Sequence, residues 1–237
     1  MYCFSSQIKF IIMDFEFTMI DRSDLLLVSG AICNSLEKYA PQKLEGTPLI
    51  LTKDGKVRVF HRRRLREVVS GVRRIFRTKP DLLQPLLGQL YRSVNLQGGT
   101  NLSTVYLNHY LHFDNRAPVL VFWNGSMDIT IIERLKIRGI KKILNMTAYS
   151  ETNNSSFSIK LIDVRKNRTI HISYIGELHK KGRMLNLLEA HGLMCDIDHQ
   201  ITHCHDPVAD VILTKCIFNI IINRFKPIRL YNLCRKK

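Results

Sequence analysis

Acidic residues are scarce in this chain: 20 Asp and Glu stand against 36 Lys and Arg, a formal net charge of +16 over 237 residues. An imbalance of that size concerns partners more than fold. Nucleic acid is the commonest polyanion to match it, an anionic membrane surface comes second, and a simple solubility bias is the plain alternative. Glycine (12) and proline (7) are few and 45% of the residues are apolar, which excludes a disordered or fibrous chain and is enough for one substantial core. The 6 cysteines form no C-x-x-C pair and no disulfide-framework spacing, so an intracellular, reducing compartment (cytoplasm or nucleus) is expected. The apolar opening at 8–13 is broken by Asp14 and Glu16 before any secretory cleavage pattern. The longest apolar run, "VILTKCIFNIII" at 211–222, carries Lys215 and is too short to cross a bilayer, so no membrane partner is expected. Repeats and low-complexity tracts are absent.

What is present reads as strands first, then strands interleaved with helices. Residues 8–18 and 24–33 are apolar runs joined by "MIDRSD", which predicts a β-hairpin, and "KVRVFH" at 56–61 predicts a third strand. From Arg62 to about Leu90 the pattern turns basic and helical, with breaks expected near Pro80 and Pro85. An amphipathic helix is expected at 101–113, and a buried strand at 117–123 leads into a helix from Met127. Strands follow at 140–147 and 157–164, then helices near 182–191 and at 207–223. The alternation implies an α/β fold: a mixed sheet of five or more strands with helices on both faces. One domain spans 1–237, with a basic helical elaboration at about 62–95.

The first strand, "FIIMDFEFT" at 10–18, poses a problem. Asp14 and Glu16 lie two apart, so both point to one face. Side by side they repel, unless a cation sits between them; Mg²⁺ takes one or two carboxylates together with substrate phosphate oxygens. A third acid, Asp128, lies just past the strand 117–123, after "WNGS". A first-turn acid stabilised by the helix dipole is the structural alternative there. The fourth piece is "HCHDPVADV" at 203–211, where Asp206 and Pro207 make a helix start, N-cap then N1. His205 and Asp210 then occupy the N′ and N4 positions, whose side chains normally meet as an apolar staple. An imidazole and a carboxylate in those places ask for a functional reason.

Asp-x-Glu on a first strand, Asp after a later strand, and His-x4-Asp at the head of a C-terminal helix resemble the DEDD superfamily of 3′–5′ exonucleases. The subclass is the one with histidine in its last motif (DEDDh), on a ribonuclease H-like fold. The resemblance rests on "MDFEFT" (13–18), "VFWNGSMDITII" (121–132) and "HDPVADV" (205–211), and runs over roughly 8–223. Two departures bear on the shape of the nucleotide pocket: Phe17-Thr18 where the family commonly has Thr-Gly, and Trp123-Asn124 where it often has His-Asn.

The resemblance implies a metal-dependent exonuclease acting on single-stranded DNA or RNA and releasing nucleoside 5′-monophosphates. Asp14, Glu16, Asp128 and Asp210 would hold two divalent ions, Mg²⁺ or Mn²⁺, and His205 would be the general base. Phe17, Trp123 and Asn124 would touch the terminal nucleotide, with Trp123 equally readable as core and Phe17, on the strand face opposite Asp14 and Glu16, also read as core. Arg62, Arg63, Arg64, Arg73 and Arg74 would follow the phosphates, the alternative being a solvated helix face. A catalytically silent nucleic-acid-binding module of the same fold is the competing reading. Cys195, His199, His203 and Cys204 show zinc-like C-x3-H-x3-H spacing, but without a completing cysteine pair they read as free thiols and surface histidines.

Overall fold

Both faces of the apolar run that begins at Ile8 are covered, which is why it is apolar throughout. The computed structural model describes residues 8–20, 23–36, 38, 40–96, 101–150, 155–164, 166–173, 183–197, 199–201 and 205–224. Its elements in chain order are β1 (Ile8–Met19), β2 (Leu25–Asn34), β3 (Gln42–Leu44), β4 (Leu49–Leu51), β5 (Val57–Val59) and a 3-10 turn at Arg62–Arg64. Then come α1 (Leu65–Ile75), α2 (Pro80–Asn95), α3 (Thr104–His112), β6 (Ala117–Trp123), α4 (Ser126–Arg134) and β7 (Lys142–Ser150). The last are β8 (Ser155–Asp163), β9 (Arg168–Ser173), β10 (Arg183–Met184), α5 (Leu187–Met194) and α6 (Pro207–Arg224).

The ten strands form one sheet in the order β5-β4-β2-β1-β6-β7-β8-β9, with β3 added to β2 and β10 to β7. β1, β6 and β7 run parallel, and their neighbours on both sides are antiparallel. This is the mixed α/β sheet that the strand–helix alternation predicts. On β1, Ile8, Phe10 and Ile12 enter the core beneath α5 and α6, while Ile11, Met13 and Phe15 enter the core beneath α3 and α4. Helices therefore cover both faces.

A β-bulge lies between Glu16 and Phe17, where Glu16 faces Ser29 but Phe17 faces Leu27, leaving Val28 as the extra residue of β2. Across it the side-chain parity of β2 switches. Leu26 and Val28 thus bury against α1 and α2, and Ala31 and Cys33 join the core under α6. The basic segment from Arg62 onward is a helical hairpin that packs Val68, Val69, Val72, Leu86, Leu87 and Leu90 on β2 and β4.

Three differences from the sequence expectations have physical causes. Pro80 does open α2 at its first position, but Pro85 does not break it. An interior proline costs about 3 kcal/mol, and burial of Leu86, Leu87 and Leu90, about 1.5–3 kcal/mol each, outweighs that. The helix expected near 182–191 starts later: Arg183–Met184 is a short strand on β7, and α5 begins at Leu187 behind a capping box between Asn186 and Glu189. Strands β3, β4 and β9 were not expected, since two are only three residues long and "RTIHIS" alternates apolar with polar groups weakly. Among the described residues, no helix is long and apolar enough to cross a membrane.

Candidate active site

β1 carries Asp14 and Glu16 past the point where its pairing with β6 ends, at Ile12–Val121. Beyond that point Phe15 has no strand partner on the β6 side. Its backbone N–H donates instead to Asp128 Oδ1 at 3.0 Å, a bond across 113 residues of chain. Asp128 is the third residue of α4 and is buried (8% exposed). The turn that delivers it depends on close backbone approach at Gly125. A Cβ there would lie 2.4 Å from Phe122 Cβ and 3.2 Å from Asp128 Oδ2. Asn145 on β7 holds this turn by accepting the Gly125 N–H at 2.9 Å. Gly125→Ala should therefore cost about 1–3 kcal/mol in urea unfolding by overpacking; an unchanged midpoint would contradict this account of the turn.

α6 supplies the fourth acid. Asp206 caps it, accepting from Val208 N (2.9 Å) and Ala209 N (3.2 Å), and Asp210 sits one turn in, also 8% exposed. His205 meets Asp210 as the staple geometry predicts, but through its backbone: the His205 N–H donates to Asp210 Oδ2 at 3.0 Å. His205 has a left-handed φ of 74°, uncommon outside glycine. Its carbonyl accepts from Gln89 Nε2 (2.9 Å), while the Gln89 amide oxygen accepts from the Ser29 hydroxyl. Strand β2 and helix α2 thus fix the backbone that orients the imidazole. The ligand atoms of Glu16, His205 and Asp210 lie within 4.8 Å of one another.

Asp14, Glu16, Asp128, His205 and Asp210 all line one cavity of about 540 Å³. The largest neighbouring charge acting on Asp14 is Asp128, and on Glu16 it is Asp210. Burial, reinforced by those negative neighbours, pushes Asp14 and Glu16 well above the usual carboxylate range. Burial raises Asp128 to about 6 against the opposing Phe15 N–H, and Asp210 to about 7 against the His205 N–H. Burial lowers the His205 imidazole below its ordinary value, which favours its neutral form. Asp14 Oδ2 and Asp210 Oδ1 are buried with no hydrogen-bond partner. None of the four acids joins an ion pair among the described residues. Hard oxygen donors that are orphaned, crowded and mutually repelling are what divalent cations require. No family model, curated protein or solved structure matches the chain.

The same cavity is lined by Phe17, Trp123 and Asn124, and by Phe76, Leu82 and Leu86 from the helical hairpin. Phe17 is partly buried against the core under α3 and α4, and Trp123 against the core under α5 and α6, so each is both core and wall. Asn124 is exposed, with a left-handed φ of 47°. The five arginines are elsewhere. Arg62, Arg63, Arg73 and Arg74 are exposed on the 3-10 turn and α1, and none lines the cavity. Arg64 forms a two-pronged pair with Glu67 (3.0 and 2.9 Å), so its charge is already engaged. Sequence reasoning missed Gln89, Ser29 and Asn145; a lone Gln inside the apolar stripe "LLGQLY" was the one available signal.

Proposed function

We propose that this protein is a metal-dependent 3′–5′ exonuclease that hydrolyses phosphodiester bonds of single-stranded DNA or RNA and releases nucleoside 5′-monophosphates. One observation carries the reading: four carboxylates from three distant segments share one cavity, two of their oxygens buried and unpartnered, with the His205 imidazole lining the same cavity. The order and spacing of these residues add the resemblance to DEDDh exonucleases on a ribonuclease H-like fold.

Asp14, Glu16, Asp128 and Asp210 would hold Mg²⁺ or Mn²⁺. Bound there, divalent cations supply the positive charge that offsets negative charge developing on the attacked phosphoryl group. The chain does the remainder. His205, its neutral form favoured by burial, takes the proton from the attacking water through its ring nitrogen. Its ring is aimed by the two backbone bonds to Asp210 and Gln89. The Trp123 and Phe17 rings offer faces for the terminal base, and Asn124 offers polar atoms at the mouth. Arg62, Arg63, Arg73 and Arg74 would follow the strand further out and make binding fall with salt.

The test incubates the protein with 5′-labelled single strands of DNA and RNA, with Mg²⁺, with Mn²⁺ and without added metal. A metal-dependent ladder shortened from the 3′ end is the expected result. Intact but shifted substrate would instead mean a silent binding module, and internal cuts an endonuclease. His205→Ala should lower turnover about 10²–10⁴-fold with strand affinity near normal; full activity in that variant would remove the base from His205.

A further inference from the structure

A second cluster of metal-binding side chains lies outside the carboxylate cavity. His191 is on the last turn of α5, Cys195 caps that helix, His199 follows in the connection, and Cys216 projects from α6. The four ligand atoms lie within 4.8 Å of one another. Cys216 is six residues beyond Asp210, a rise of about 9 Å along α6, so the two clusters cannot share an ion.

We propose that His191, Cys195, His199 and Cys216 bind one Zn²⁺ in a tetrahedral Cys2His2 site that ties α5 to α6. The donor set is two sulfurs and two imidazoles, the choice of zinc over Mg²⁺ or Ca²⁺. Four independent features support it. His191 is 7% exposed, and its Nε2 is buried without a hydrogen-bond partner; His199 Nε2 is buried and unpartnered as well. The two ring centroids are 5.0 Å apart with their planes tilted by 58°, and the cysteines form no disulfide, the Cys216 thiol donating to Cys195 Sγ at 3.2 Å. Two thiolates on a tetrahedral zinc at ~2.3 Å lie roughly 3.8 Å apart, so loading the site asks only a small rotation of the cysteine side chains. The Ile197 N–H donates to Cys195 Sγ at 3.4 Å, the kind of hydrogen bond that steadies a metal-bound thiolate. Leu188, Ile201 and Leu213 line the same pocket as His191, Cys195 and His199.

Without an ion the arrangement is poor chemistry. Burial pushes the Cys216 thiol up to about 12, with Cys195 adding to it, and burial lowers the His191 imidazole. Zinc binding releases the two thiol protons and gives each nitrogen lone pair a partner. The site is not the C-x3-H-x3-H run that the sequence spacing draws attention to. Cys195 and His199 belong to it, but His203 and Cys204 lie outside the described residues, and the completing ligands come from the two flanking helices. His199 and Cys195 are thus neither a surface histidine nor an idle thiol. Zinc here would anchor the connection six residues before His205, steadying the head of α6 from its far side.

The experiment is a metal count on the full chain, purified under reducing conditions and dialysed against Mg²⁺ buffer, with Asp14→Asn and Cys195→Ser/Cys216→Ser measured alongside. One zinc per chain in the first two and its loss in the third is the expected result. Cobalt substituted into the wild-type chain should give intense tetrahedral ligand-field bands and thiolate charge-transfer absorption. If the double variant does not fold, Cys216→His, which keeps four nitrogen or sulfur donors, should retain the ion and lose half of the thiolate absorption. Less than a stoichiometric metal count, an octahedral cobalt spectrum, or zinc lost equally from Asp14→Asn would overturn the proposal, as would a Cys195–Cys216 disulfide in the freshly reduced chain. None of these readouts uses nuclease activity, so the zinc site and the exonuclease reading stand or fall separately.

Discussion

Asp14→Asn should yield a protein with almost no turnover that, without metal, is more resistant to heat than the parent. Both halves follow from one carboxylate. In the proposed enzyme, losing a cation ligand should remove several kcal/mol of transition-state stabilisation, about 10³-fold or more in rate. In the metal-free protein the Asp14 carboxyl is a liability: Oδ2 is buried and unpartnered, and Asp128, Glu16, Asp210 and Asp206 all oppose its charge. Asparagine has nearly the same shape, removes the charge and offers an N–H₂ to carboxylates that need donors. The gain in unfolding free energy at pH 8 should be about 1–3 kcal/mol, or about 2–4 °C in Tm per kcal/mol for a chain of this size. Thermal melts of the two proteins in metal-free buffer check it. A variant that is less stable than its parent at pH 8 would mean that Asp14 is not under electrostatic stress.

Stability of the metal-free protein should fall as pH rises from about 4 to 7, the reverse of the behaviour of salt-bridged carboxylates. The sign follows from linkage. Asp128 at about 6 and Asp210 at about 7 keep protons in the folded chain that the unfolded chain has released. The folded state therefore binds more protons through this window, and raising the pH favours unfolding. Asp128 alone contributes on the order of 3 kcal/mol between the ends of that window. Mg²⁺ or Mn²⁺ bound as proposed would displace those same protons. Added metal should thus raise Tm strongly at pH 8 and little at pH 5. At a hundred times its dissociation constant an ion adds about 2.7 kcal/mol, or about 5–10 °C here. Scanning calorimetry at pH 5, 6, 7 and 8, with and without Mn²⁺, measures both trends; equal metal shifts at pH 5 and pH 8 would contradict shared proton and cation sites. Mn²⁺ is added rather than chelator because a chelator would also remove the zinc proposed for the second, thiol-containing cluster.

The site's acids were legible before any coordinates because their cause is local. Asp14 and Glu16 share a face through the strand's period of two, Asp128 follows a buried strand, and the Asp206-Pro207 start sets the place of Asp210. Local chemistry also marked the long strands and α6, whose apolar patterns run on for ten or more residues. It could not mark what depends on a partner. Three-residue strands such as β4 exist only because β2 and β5 flank them. Pro85 stays helical only because its neighbours reach a sheet. Gln89, which braces His205, is 116 residues away from it in the chain.

Sequence alone determined that carboxylates, an imidazole and a basic surface are present, and at which ends of which elements they stand. Those are properties of residue type and of the 2.0 and 3.6 periodicities, which need no long-range contact. Tertiary structure decided which groups meet. It joined His205 to Asp210 through a backbone hydrogen bond, with the imidazole within 4.8 Å of the carboxylate, and set Arg62, Arg63, Arg73 and Arg74 away from the cavity. It also drew Cys216 on α6 to His191, Cys195 and His199, which follow one another at four-residue spacing from the last turn of α5 into the connection. Such meetings arise only when a whole sheet and its helices bury their faces together, and no window of sequence contains that.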